Sequence, residues 1–170
     1  MTVWTGQWPK KKNTSESVRM SNDERVSAKK RQCFNNAFGT VMYCDEFATA
    51  TYVEGMVVII GGLAIEHGWI EKDEAIIDPT LPTDKAMYFP GLRFEGQYGI
   101  SQGLKIPKKD GCEDFPIFYR FGWGGHKSPD FRAARSAAMR LSDLFAYRNQ
   151  RVGQAEFEQE GRVTKQGVAE

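Results

Sequence analysis

Histidine, cysteine and long apolar runs are all scarce in this chain. Its 170 residues include two histidines and three cysteines. Cys33, Cys44, His67, Cys112 and His126 are scattered rather than set at the short spacings of a zinc centre, so no metal is expected. An odd cysteine count without CxxC spacing excludes a disulfide framework. The longest apolar run, Val57 to Ile65, falls far short of the ~20 residues that span a bilayer, so no membrane partner is expected. Met1 leads into polar, basic sequence without the apolar segment of a secretory signal. Free thiols persist in a reducing cytoplasm, which is the expected compartment. A net charge of +1 offers no global field for nucleic acid or an acidic partner. Gly61-Gly62 and the glycines from Gly122 to Gly125 lack the context of a phosphate loop, and no cofactor is called for.

What is present suits one globular domain: 41% hydrophobic residues, enough for a core, and 12% aromatics. Charge is uneven. Residues 1–31 carry eight Lys or Arg against three acids, and residues 32–104 carry three against ten. Residues 1–24 read as a flexible basic leader, dispensable for folding, although Trp4 and Trp8 are able to pin it to the body. A solubilising tail is the ordinary role of such an arm, and nucleic-acid contact is the alternative. Residues 25–149 then form a single α+β domain, and residues 150–170 a polar, disordered tail.

Within the domain, Phe34, Ala37, Phe38, Val41, Met42 and Phe47 recur at helical spacing from Cys33 onward. Tyr52–Ile60, Leu63–Ile70 and Ala75–Asp78 read as strands, and Phe115–Phe121 as a further short one. Ser128-Pro129-Asp130 supplies a cap, a first-turn proline and an acid ahead of a C-terminal helix. The expected fold is a Cys-bearing helix packed on a small antiparallel sheet, with that C-terminal helix outside it.

A thiol at a helix start, a histidine on a strand and an acid on the next strand meet the needs of nucleophilic catalysis. The helix N-terminus and an imidazole both favour a thiolate. The imidazole takes and returns the proton, and the acid fixes its tautomer. Cys33, His67 and Asp78 occupy these three places, and a hairpin between the second and third strands makes His67 and Asp78 neighbours. The bland alternatives are a core thiol for Cys33 and a turn acid before Pro79 for Asp78. Cys44 and Cys112 read as core fillers, and His126 as a loop histidine with a rival claim to be the base. The Cys33 backbone N–H is the first choice of oxyanion donor, with Gln32 weaker. Trp69 reads as cleft wall or core.

Four fragments in order carry a resemblance. Cys33-Phe34-Asn35-Asn36-Ala37 looks like a nucleophilic Cys followed four residues later by Ala. Val53-Glu54-Gly55 looks like Val-x-Gly, His67-Gly68-Trp69 like His-small-Trp, and Asp78-Pro79-Thr80 like Asp-Pro-Thr. Across residues 33–80 the chain resembles the transglutaminase-like and papain-like Cys-His-Asp superfamily, and it is similar to short bacteriophage proteins. It departs from the pattern at Arg31, where a glycine is usual, and in the short segment between His67 and Asp78. The resemblance implies acyl transfer or hydrolysis at an amide of a protein or peptide, without a cofactor, in a host cytoplasm if the chain is phage-encoded. Arylamine N-acetyltransfer uses the same triad, but coenzyme A features are not evident. The alternative from another class is a non-catalytic binding protein on the same scaffold, sequestering a host protein or ligand.

Overall fold

The computed structural model describes residues 10–83, 85–108, 111, 113, 115–122 and 125–166, with side chains through residue 149. Cys112, Trp4 and Trp8 lie outside the described residues. The chain is α+β, with four α-helices and one five-stranded sheet among the described residues.

The strands are β1 (Lys11–Lys12), β2 (Thr51–Ile59), β3 (Ala64–Lys72), β4 (Ala75–Ile77) and β5 (Ala86–Glu95). The helices are α1 (Thr14–Ser21), α2 (Cys33–Tyr43), α3 (Gly96–Gly103) and α4 (Pro129–Gln166). The sheet order is β1-β4-β3-β2-β5. It is mixed rather than antiparallel as the sequence suggested, because β1 runs parallel to β4 while the other pairs are antiparallel.

Alternation along β2 separates two cores. Tyr52, Met56 and Val58 meet the helices: Tyr52 joins Ala37, Val41 and Ile70, and Met56 and Val58 join Phe131 and Ala138. Val53 and Val57 point the other way, into a smaller cluster with Trp69, Ile76 and Tyr88. Cys44 ends α2 and is fully buried in the first core, as a filler thiol should be, and burial pushes its pKa up.

Three further expectations are corrected. Residues 10–24 are not a loose leader. The Asn13 N–H donates to the Ile76 carbonyl at 2.8 Å, and the Asn13 side chain caps α1 by accepting from the Glu16 N–H at 3.0 Å. Met20 and Ser17 are fully buried. The polar tail also differs, because α4 continues through Gln166 instead of ending near residue 149. Its start is as expected, with the Phe131 N–H donating to the Ser128 hydroxyl at 3.2 Å.

The third correction is Phe115–Phe121, where a strand was expected and a 3-10 helix forms at Ile117–Phe121. The cause lies on β2. The buried Glu54 carboxylate accepts the Ile117 and Phe118 N–H groups at 2.8 and 2.6 Å, gathering consecutive amides onto one side chain. A ladder strand sends neighbouring amides to opposite sides, so this acceptor selects a turn.

Candidate active site

Cys33 is the first residue of α2. Gln32 occupies the N-cap position without a capping side-chain bond, and the first turn carries no acid. The positive end of the helix therefore faces the thiol unopposed by its own side chains. Gly68 brings this helix end close to β3. A Cβ there would meet Phe34 Cα at 2.9 Å and the Cys33 carbonyl oxygen at 3.3 Å. Only a glycine beside His67 lets the two elements approach so nearly. The Cys33 sulfur lies 4.0 Å from the Glu66 carbonyl oxygen, and the thiol is half-buried.

His67 sits on β3 opposite Gly55 of β2. Gly55 also has no room for a side chain, since a Cβ would stand 2.3 Å from the Phe89 carbonyl oxygen and 2.9 Å from Trp69 Cη2. The His67 ring is buried, and Nε2 lies 2.8 Å from Asp78 Oδ2. That pairing engages Nε2 alone, and the ring lines the same cleft as Cys33. Burial alone pushes the imidazole pKa down. The Asp78 charge and hydrogen bond, followed by those of Cys33, outweigh it and lift His67 to about 9.

Asp78 is fully buried, and its acceptor positions are occupied. Oδ2 takes His67 and the Tyr88 hydroxyl, the latter at 2.8 Å. Oδ1 takes the N–H groups of Thr80 and Leu81 at 2.9 and 3.0 Å, an Asx turn that fixes the carboxylate plane. Burial pushes its pKa up, but the His67 charge and these bonds hold it below the ordinary carboxylate value. The Asp78 N–H donates to the Ser17 hydroxyl of α1 at 3.0 Å, so the basic N-terminal segment braces the acid from behind.

Asn36 ties the preceding loop to the same region. Its amide accepts from the Lys29 N–H at 3.0 Å, and donates to the Lys29 carbonyl at 2.7 Å and to the Thr80 hydroxyl at 2.9 Å. Cys33 and His67 open onto a cleft of about 510 Å³ whose other walls include Lys30, Arg31, Ile65, Glu66, Thr80 and Leu81.

The three residues singled out in the sequence are thus brought together from α2, β3 and the end of β4. Trp69 is not in the cleft wall. It is fully buried, packed edge-on to Tyr88 at 5.2 Å, and its indole N–H has no hydrogen-bond partner among the described residues. Gln32 is exposed beside Cys33. His126 is exposed in the loop before α4, with its ring against Gly122. No group of three or more His, Cys, Asp or Glu suited to a metal occurs among the described residues. No described helix is long and apolar enough to cross a membrane.

No family model, curated protein or solved structure matches this chain. Ser17 and Tyr88 are the contributors that sequence reasoning missed, and Asn36 was in view only as part of Cys33-Phe34-Asn35-Asn36-Ala37. Thr80 was in view only as part of Asp78-Pro79-Thr80, a fragment whose Asx turn now has a geometric reason.

Proposed function

We propose that this chain performs cysteine-dependent acyl transfer or hydrolysis at an amide of a protein or peptide, on a core related to the papain and transglutaminase enzymes, in a reducing cytoplasm. The observation that carries the reading is the buried 2.8 Å His67–Asp78 pair, beside a half-buried thiol at a helix start and open to a cleft. Cys33 and His67 line the same cleft, and the thiol adds to the rise in the His67 pKa, beyond what a purely structural His–Asp pair requires.

In this scheme the Cys33 sulfur attacks the amide carbon, forming the C–S bond and an oxyanion. In the same scheme the Cys33 backbone N–H at the start of α2 is the donor for that oxyanion. The His67 imidazolium gives its proton to the leaving nitrogen as the C–N bond breaks, leaving a thioester. Water or an amine then attacks the thioester, His67 accepts the attacking group's proton, and the thiolate departs. Asp78 keeps the ring in one tautomer throughout.

A peptide-backbone electrophile that mimics an amide carbonyl tests this directly. Covalent labelling confined to Cys33, lost in His67→Ala, is the expected result. Peptide pools incubated with the protein and a primary amine should then show cleavage, deamidation or amine incorporation by mass spectrometry. A Cys33→Ala protein that folds and keeps the wild-type biological effect would sink the proposal and leave a binding protein in its place.

A further inference from the structure

Several cations of the described residues are paired with acids: Lys10 with Glu71, Arg19 with Glu16 and Glu46, Arg25 with Asp23 and Glu46, and Arg93 with Glu71. Lys12 donates to the Leu81 carbonyl of the cleft wall. Lys30 and Arg31 differ. Both line the cleft, both are exposed, and neither has an acidic partner among the described residues. Glu66, the one acid of the cleft wall among the described residues, is met by Arg135 of α4 at 3.6 Å.

The segment carrying the two free cations is held in place. Asn36 clamps Lys29 through both its N–H and its carbonyl. Arg31 has a left-handed backbone, φ 65°, which turns the chain into α2. Such a conformation costs a non-glycine residue roughly 1 kcal/mol, so an arginine here is not explained by backbone preference.

We infer that Lys30 and Arg31 select a substrate with an acidic side chain beside the reacting amide, making the preferred substrate an acidic peptide segment. This rests on the proposed acyl chemistry at Cys33. The two cations sit on the approach to the sulfur, inside a concave wall where like-signed charges concentrate anions. A carboxylate one or two residues from the scissile amide would meet them while the carbonyl lies over Cys33.

Alkylation of Cys33 by iodoacetate and by iodoacetamide tests the inference, because the reagents differ chiefly in one negative charge. Rates at Cys33 are read by mass spectrometry in wild type, Lys30→Gln/Arg31→Gln and Lys30→Glu/Arg31→Glu, with circular dichroism confirming the fold. The ratio of iodoacetate to iodoacetamide rates should fall roughly three- to tenfold from wild type to the acidic variant at low salt. The neutral variant should lie between, and added salt should shrink the difference. Equal ratios in all three proteins would overturn the inference. A failed triad looks different: both reagents would be slow in wild type, yet the ratio would still be measurable and still decide the role of the two cations.

Discussion

Asp78 is held by five hydrogen bonds, four to its carboxylate and one from its own N–H to Ser17. Its two oxygens have different duties, and substitution separates them. In Asp78→Asn the amide oxygen can keep the Thr80 and Leu81 N–H groups. The amide nitrogen then faces His67 Nε2 and moves the ring proton to Nδ1, the atom needed to accept a proton from the thiol. The proposed acyl transfer should fall by about 10²–10⁴-fold, while the melting temperature near neutral pH drops only by what the His67–Asp78 charge pair contributes. Asp78→Ala removes the acceptor for several buried donors and should also destabilise the fold by about 1–3 kcal/mol. Denaturant melts beside labelling rates of Cys33 distinguish the two, and equal labelling in wild type and Asp78→Asn would remove Asp78 from the mechanism. The acid was legible in the sequence because Asp-Pro-Thr carries its own turn chemistry. Tyr88 was not legible, since a tyrosine in a strand already satisfies strand propensity and nothing local tells where its hydroxyl points. Ser17 was hidden in the same way, in a polar stretch whose partner lies 61 residues away.

Between elements, the decisive contact is α2 against β3 at Gly68. A methyl group there meets backbone of Phe34 at 2.9 Å, and backbone cannot rotate aside as a flexible side chain can. Gly68→Ala should therefore push the start of α2 outward and carry Cys33 away from His67. Overpacking of this kind costs about 1–3 kcal/mol, and a displacement near 1 Å at reacting groups costs on the order of 10²-fold in rate. Iodoacetamide labelling of Cys33 should slow more than tenfold in a variant that still melts cooperatively. Unchanged labelling would show that the helix end is free to adjust.

The N-terminal segment makes the opposite point about legibility. Helix α2 and strands β2 to β4 announce themselves by apolar period, whereas α1 is short and polar and buries few side chains, Met20 and Ser17 foremost. What fixes it is a set of bonds to distant backbone, which no local pattern reveals. A chain beginning at Val26 loses β1, the burial of Met20 and the brace behind Asp78. Burying a methionine alone contributes about 1.5–3 kcal/mol. That truncated chain should show a lower and broader thermal transition than the full protein, and an identical melt would return the segment to the status of a dispensable leader.

At the scale of the whole molecule, three buried ionisable groups set how stability depends on pH. His67 is raised from 6.5 to about 9, because the Asp78 charge and hydrogen bond overcome the downward push of burial. Below pH 6.5 folded and unfolded chains both hold the proton, and the pair contributes fully. As pH rises towards about 9 only the folded chain retains it, so this contribution drains away and is gone above that value. Asp78 is held below its ordinary 3.8, so its contribution is present above that value and is lost only in stronger acid. Glu54 works against the fold at the alkaline side. Burial lifts its carboxyl from 4.5 to about 7 despite bonds from Ile117, Tyr52 and Phe118, so ionising it in place costs stability increasingly between those values and evenly beyond. The melting temperature should therefore decline from about pH 5 to about pH 9, by about 5 °C or more for a domain of this size. Differential scanning calorimetry at constant ionic strength reads the profile. Asp78→Asn should keep the decline below pH 7 that belongs to Glu54 and lose the limb between pH 7 and 9 that belongs to His67. A wild-type profile flat over that upper limb would mean that His67 is neutral there, which would take the imidazolium, and with it the proton for the leaving nitrogen, out of the proposed chemistry.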